Sequence, residues 1–427
     1  MATSQNGSIS LTSTTLANSL PTGVSEVQAK LGWVGQPNQR GTLDIIWSCV
    51  VTLGICVWAM LHLNVPAESD SQITLFFRRA RWMMLAILAP ELVLLYAGGQ
   101  WTSAKRSVAA MQELGYGRWT MVHAFYADSG GFLLHAEDTI AFPITAKQIH
   151  YLVQKGHLAM PKVTKKEIWD KSKADRLAKT IAASQAAWLA AQVIARGIQH
   201  LPITLIELST VALITCTGAT AFFWFQKPLG VETPTDLYLE TTIAQVLKLA
   251  GDEAKTPFAD TPMDFIESRI YTSSQMPLRQ YWGVQERPLP RIPNDRDPRL
   301  HNFNMILIVS IPTAAFSLLH LIAWHFEFPT KAELLLWRWT CVSMTILLGT
   351  YCMTEAASII AQGYTTTGLT TLKGYKLRWP INTLFFVPGF LYMCARMIVL
   401  VEIVISLRLL PVGCFETVQW TQLIPHF

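Results

Sequence analysis

Six stretches of this chain are long and apolar enough to cross a bilayer, and that leaves few folds open. They cover residues 43–65, 82–100, 203–225, 305–325, 334–360 and 381–407. A helix needs ~20 mostly apolar residues to traverse a hydrocarbon layer about 30 Å thick, because each residue advances it by about 1.5 Å. A seventh stretch, 181–199, reads IAASQAAWLAAQVIARGIQ and is weaker, rich in Ala and interrupted by Gln and Arg. It counts as a span because a long structureless loop is the odder alternative. Backbone amides in hydrocarbon must be satisfied within the chain, which favours helices. The predicted fold is therefore all-α: residues 43–427 form a polytopic transmembrane bundle of about seven spans, after a disordered cytoplasmic N-terminus at 1–42.

Charge supports the same solvent argument. Only 15% of the 427 residues are charged, against roughly 25% in soluble chains. The net charge of +5 lies mostly in loops, so it speaks to membrane orientation and not to nucleic acid. Lys30, Arg40, Lys105, Arg106, the basic run 162–179 and the arginines from Arg287 to Arg299 collect on the N-terminal side. The opposite side has little beyond Arg78, Arg79, Arg81, Lys331 and Arg408. A cytoplasmic N-terminus and an endoplasmic reticulum location follow as expectations. No basic start precedes an apolar core in residues 1–30, so the first span is expected to act as its own insertion signal. The seven cysteines are odd in number and mostly inside apolar stretches, with no CxxC, which excludes a disulfide framework or a zinc site.

Two long connections remain, 101–180 and 228–303. The first is apolar enough in its middle to lie in the interface or re-enter. The second carries seven prolines between Pro257 and Pro298 and is expected to be a surface excursion with little regular structure. At ~100° per residue, four spans each carry a polar stripe. These are Gln185, Trp188, Gln192, Arg196 and Gln199; Glu207, Thr210, Thr217 and Gly218; Thr313, Ser317, His320 and Trp324; and Tyr351, Glu355, Ser358 and Gln362. Ser, Thr and Gln serve equally well as hydrogen-bonding glue between helices. Ionisable residues cost more, and Arg196, Glu207, Glu355, Arg396 and Glu402 together imply a polar interior, although each alone fits a structural ion pair.

Glu91 follows Pro90 in LAILAPELVLLYAGG, where a proline kinks the helix. An acid set among Leu and Ile beside that kink is expected to carry its proton. It could also do no more than satisfy the freed backbone groups. In MVHAFYADSGGFLLHAED, Asp128 lies five residues after His123 among Phe125, Tyr126 and Phe132. No HxxxH or HExxH accompanies it, so no metal is expected. The acids Glu91, Asp128 and Glu355 are the candidate catalytic groups. His123, Tyr126, Trp188, Arg196, Trp324 and Tyr351 are the candidate substrate-binding residues.

The chain has no Walker loop, no GxGxxG between strand and helix, and no DDxxD, NxxxDxxxD or DxDD. The usual means of ionising a prenyl diphosphate with magnesium is missing, and no cofactor is expected. What remains is an acid-bearing, aromatic-rich apolar cavity, with 15 Trp, 11 Tyr and 19 Phe in the chain. A protonated buried carboxyl with ring faces that stabilise cations suits protonation of an alkene or epoxide. The stretches LAPELVLLYAGGQWTSAKRSV, TMVHAFYADSGGF, VQERPLPRIP and VEIVISLRLLPVGCFETVQWTQLIPHF resemble a fungal family of multi-span proteins that includes the macrophorin-type integral membrane terpene cyclase. The resemblance covers essentially the whole chain after residue 40. It implies cyclisation of the linear prenyl chain of a meroterpenoid, initiated by protonation of the terminal alkene. The partners so implied are a prenylated small molecule and the lipid bilayer, with the oligomeric state left open.

Two other classes compete. A proton-coupled carrier would use the same intramembrane acids as relays, but many carriers show inverted repeats and paired broken helices. This sequence has one Pro–Glu break and no symmetric mate. A seven-span receptor fits the span number, but neither a DRY-like triplet nor NPxxY is present.

Overall fold

The computed structural model describes residues 30–35, 40–172, 176–255, 258, 260–266, 287–294, 303–365 and 375–420, and not the side chains of 176, 355 and 358–386. The expected disorder of 1–42 concerns residues largely outside these. Among the described residues the chain is mostly helical. Four helices are long and apolar enough to cross a membrane, or five if one bent pair counts as a single span.

The first is α1 (Thr42–Met60). It is followed by the bent pair α2 (Gln72–Leu88) and α3 (Pro90–Glu113), which meet at 110°. Pro90 is the first residue of α3, where its missing N–H costs no intrahelical bond. The predicted kinked span 82–100 is thus two helices, and the break falls at Ala89. The second half of α3 leaves the apolar zone and carries short helices α4 (Met121–Asp128), α5 (Ala146–Gln154) and α6 (Lys165–Lys171). Then come α7 (Arg176–Ile198), α8 (Leu205–Phe223) and the short α9 (Ile243–Ala250). The C-terminal part is α10 (Phe303–Leu321), α11 (Lys331–Thr365) and α12 (Tyr375–Ser406). Helix α8 is central, packing against α1, α3, α7 and α10, while α11 joins α10 to α12.

Helix α8 starts at Thr204-Leu-Ile-Glu207, a capping box that gives Glu207, read from the sequence as part of a polar stripe, a structural role. Thr204 Oγ1 accepts from the Glu207 amide, and Glu207 Oε2 accepts from the Thr204 amide at 3.0 Å, which satisfies two orphan donors reciprocally. Glu207 also pairs with Arg40. A fully buried acid is thereby spent on a helix cap and an ion pair.

The two long connections depart from expectation. They fold together into one mixed lobe around the C-terminal half of α3. Strands β1 (Lys30–Leu31) and β5 (Leu410–Pro411) form a separate two-residue pair. In the lobe, β2 (Phe132–Ala136) pairs antiparallel with β3 (Thr139–Ile144), and β4 (Thr235–Tyr238) from the second connection adds parallel to β2. Residues 292–294 then clamp back, with Asn294 Oδ1 accepting from the Asn64 amide at 2.6 Å. The middle of the first connection, expected to lie in the interface or re-enter, forms a small sheet, and Phe125, Phe132, Leu134 and Phe142 there are buried as part of the main hydrophobic core.

Gly131 sets the turn into β2. A Cβ there would lie 2.5 Å from Cδ2, Cε2 and Cζ of Tyr126, whose ring is buried and whose hydroxyl meets Thr235 Oγ1 at 2.9 Å. Gly131→Ala is expected to destabilise the protein by about 1–3 kcal/mol through this overlap, read as a lower unfolding midpoint. An unchanged midpoint would show that the ring relaxes freely.

The polar stripes divide. Glu207, Thr210 and Thr217 of α8, and Thr313, Ser317 and His320 of α10, are buried as expected. On α7 the stripe splits: Gln185 and Trp188 are exposed, with Trp188 stacked on Trp420, Gln192 and Gln199 are half-buried, and Arg196 is buried, while Ala182, Leu189 and Val193 face the protein. Small and aliphatic residues let α7 approach α1 closely, and that packing outweighs the burial of Gln185 and Trp188.

Candidate functional site

The break before α3 places Glu91 in the first turn of a helix that starts inside the apolar bundle. Its Oε2 is sealed from outside and has no hydrogen-bond partner. Electrostatically it is coupled to two groups on α12, Tyr392 and Arg396. The Tyr392 hydroxyl and Arg396 Nε are also buried without a hydrogen-bond partner. Buried polar atoms are nearly always satisfied, and here the Glu91 carboxyl and the Tyr392 hydroxyl face each other without ideal hydrogen-bond geometry while Arg396 Nε is left over, which marks this place.

The rest of Arg396 is held firmly. Nη1 donates to His320 Nε2 at 3.2 Å and Nη2 donates to the Ile87 carbonyl at 3.3 Å. The guanidinium lies over the Phe316 ring, 4.9 Å from its centroid. Since Arg has no acceptor, His320 Nε2 must accept. His320 Nδ1–H then donates to the Phe316 carbonyl at 2.8 Å, which fixes one neutral tautomer. Trp337 Nε1–H donates to the His320 carbonyl at 3.3 Å, and its ring lies 6.1 Å from the His320 ring. The break between α2 and α3, α10, α11 and α12 thus converge on one acid, one phenol and one guanidinium walled by Phe316 and Trp337. An ammonium or a carbocation would meet ring faces here, and a hydroxyl or carbonyl would meet Arg396 and Tyr392.

Of the candidate catalytic and substrate-binding residues whose side chains are described, Glu91 alone belongs to this cluster. Asp128 accepts from Ser103 Oγ at 2.8 Å and from the Ala146 amide at 3.0 Å. Ser103 is twelve residues beyond Glu91 on α3, about 18 Å along the axis. The two acids cannot serve one reacting carbon. His123 is spent on a cap: Nδ1 accepts from the Thr120 amide at 3.2 Å and Nε2–H donates to the Val163 carbonyl at 2.9 Å. Burial lowers its pKa, in keeping with that neutral form. Burial likewise raises the Tyr126 pKa, and its hydroxyl is used by Thr235. Arg196 donates to the carbonyls of Pro202, Gly413, Cys414 and Glu416 at 2.8–3.2 Å, stapling the C-terminal segment to the start of α8. Trp188 is on the outer surface, and Trp324 is partly exposed with Arg338 over its ring. Tyr351 is half-buried on α11. The side chain of Glu355 lies outside the described residues.

The chain belongs to DUF8562. This family is one of unknown function, and its model matches residues 13–252 and 298–427. Neither curated proteins nor solved structures gave a match. No group of three or more His, Cys, Asp or Glu side chains that could hold a metal occurs among the described residues.

Tyr392 was missed in the sequence because a Tyr in an apolar run looks like packing. Only the helix break, which turns Glu91 toward α12, gives it a partner. A second feature was legible only in part. Glu402 Oε1 and Glu333 Oε2 are both buried and unpartnered, the two acids are electrostatic neighbours, and Arg408 pairs with Glu333. Glu402 stood out as an ionisable residue in a span, but Glu333 did not.

Proposed function

We propose that this protein is a membrane-bound terpene cyclase that closes the linear prenyl chain of a meroterpenoid by proton-initiated cyclisation, in fungal secondary metabolism. The observation that carries the reading is Glu91 Oε2, buried and unpartnered beside Tyr392 and Arg396 within walls of Phe316 and Trp337. In its proton-bearing form the carboxyl transfers H⁺ to the terminal alkene and leaves a tertiary carbocation. Successive alkenes attack the cation, forming ring C–C bonds. Loss of a proton from a carbon next to the final cation restores an alkene, so the product is an isomer of the substrate. The carboxylate left behind sits in the first turn of α3, where the helix dipole and Arg396 both favour negative charge. The rings stabilise the travelling cation.

In this reading α7 and α11 also cross the bilayer. Helix α7 packs against α1 and α8, and α11 against α10 and α12, and counting both as spans gives seven crossings when the bent pair counts as one. The lobe of the two long connections and the N-terminus then lie as the Lys/Arg distribution directs, with the N-terminus cytoplasmic at the endoplasmic reticulum.

The test is expression in a host lacking related enzymes, fed with a linear farnesylated acceptor, with products separated by chromatography and mass spectrometry. The expected result is a cyclised product of unchanged mass; recovery of the linear compound alone would defeat the reading. The second reading, a proton-coupled carrier, draws on the facing carboxyls Glu333 and Glu402. It predicts proton flux in liposomes that Glu402→Gln abolishes.

A further inference from the structure

A second buried polar cluster lies just past the ends of two apolar helices and has no part in the cyclase reading. Lys227, four residues beyond the end of α8, is 1% exposed. Its Nζ donates to Asn64 Oδ1 at 3.0 Å and to Gln100 Oε1 at 2.9 Å, and lies 5.0 Å from the Trp224 ring centroid. Trp224 Nε1–H donates to the same Gln100 oxygen at 2.9 Å. No carboxylate forms a salt bridge with Lys227 among the described residues. The acid that acts on it electrostatically is Asp128, whose oxygens accept from Ser103 and Ala146.

The cation is not alone. Against the same Trp224, 5.8 Å between ring centroids, stands His62, 3% exposed. Its Nδ1 lies 2.6 Å from the Met60 carbonyl, so Nδ1–H donates, and Nε2 accepts from Lys179 Nζ at 3.1 Å. His62 is therefore neutral. Burial and its cationic neighbours push its pKa down to about 3, and those neighbours are Lys179, Lys227 and Arg79. Arg79 stacks 3.7 Å over the Trp58 ring and donates to the Trp58 carbonyl, but its Nε is buried without a partner.

Lys179 thus touches a neutral imidazole on which Lys227 and Arg79 also act, and among the described residues the hydrogen-bond partners of all three cations are uncharged. The C-terminal carbonyls of α1 account for one donor of Arg79 and for His62 Nδ1, but none of them reaches Lys227. Buried charge is ordinarily paired. The missing element of this cluster is negative charge, and three cationic donors gathered about His62 and Trp224 suit an anion with several oxygens. Beside it, Trp58, Phe76 and Phe77 are exposed apolar side chains, as a lipid-facing surface requires.

We propose that Arg79, Lys179 and Lys227, held by His62 and Trp224, form a binding site for a phosphate group. Its source is either the headgroup of an anionic amphiphile, whose chains lie along Trp58 and Phe77, or free phosphate. The experiment uses the full chain purified in a neutral detergent. Dioctanoyl phosphatidic acid, dioctanoylglycerol and inorganic phosphate are titrated in parallel, with binding read by native mass spectrometry and by the thermal unfolding midpoint.

Saturable binding of dioctanoyl phosphatidic acid, without binding of dioctanoylglycerol, is expected and assigns the site to a lipid headgroup. Saturable binding of inorganic phosphate with equal affinity supports the site and assigns it to free phosphate. Lys179→Gln, a half-buried position where folding is least at risk, should weaken binding at least tenfold, as should Lys227→Met. Equal binding of dioctanoylglycerol, no binding of either phosphate compound, or full affinity in a folded Lys179→Gln protein would overturn the proposal. Folding of each variant is checked by circular dichroism and gel filtration.

Discussion

Glu91→Gln is expected to lower cyclisation at least a thousandfold while the protein still folds. The amide is nearly isosteric with the acid and keeps a hydrogen-bonding group facing Tyr392 and Arg396. What it lacks is an ionisable proton, and a step that begins by protonating carbon has no other source in this cluster: Arg396 and His320 hold their protons in hydrogen bonds, and a phenol is a far weaker acid than a carboxyl. General acids contribute typically 10²–10⁴-fold. Substitution does not open a cavity or strand a charge, so loss of product cannot be ascribed to unfolding. Glu91→Asp retains the acid but withdraws it by one methylene, and partial activity is expected. Tyr392→Phe removes an already unpartnered hydroxyl and should cost much less, about tenfold. Product yields from whole cells, normalised to protein level, decide the matter: more than a tenth of wild-type turnover in Glu91→Gln would remove Glu91 from the mechanism.

Several elements were readable in the sequence because they depend on local pattern. The run 203–225 became Leu205–Phe223 and 305–325 became a helix starting at Phe303, since apolar length alone decides them. The site was less readable, because its parts meet through tertiary geometry. Pro90 announced an irregularity beside Glu91, yet a kink and a 110° break look alike in one dimension. Only the break aims Glu91 at Tyr392 and Arg396, some 300 residues later. Arg196 was conspicuous as a charge in a span, but its partners are backbone carbonyls near residues 202 and 413–416, which no side-chain pattern reports. Trp188 followed the polar period of α7 correctly and still faced outward, because Trp is at home on a lipid-facing surface. Lys227 carried no signal at all: one lysine after an apolar run is ordinarily a snorkelling residue, and its burial comes from Asn64 and Gln100 in other elements.

Between neutrality and pH 10 the wild-type protein is expected to gain stability relative to Lys227→Met, and the buried amine is the reason. Burial pushes its amine down to about 7, whereas a lysine in the unfolded chain titrates near 10.4. Between those limits the unfolded chain holds a proton that the folded chain has shed, so stability increases with pH across that window. Below about pH 7 both states are charged and the folded state bears the full burial penalty. The whole effect is on the order of 4 kcal/mol. His62 acts in the same direction in a lower window, from its folded value of about 3 to an unfolded value near 6.5. Between pH 7.5 and 9.5 only Lys227 contributes of these two, so over that range the wild-type unfolding midpoint in detergent should rise by about 3 °C relative to that of Lys227→Met. In Lys227→Met this contribution is gone, and the slope that remains belongs to the other titrating groups. An equal slope in the two proteins would mean that the amine is not buried as a cation. An anion beside the amine favours its charged form, so saturating dioctanoyl phosphatidic acid should flatten the wild-type slope while leaving that of Lys227→Met as it was. That joint dependence separates a cation waiting for a ligand from a lysine that is merely badly placed, since only the first regains its proton when the phosphate arrives.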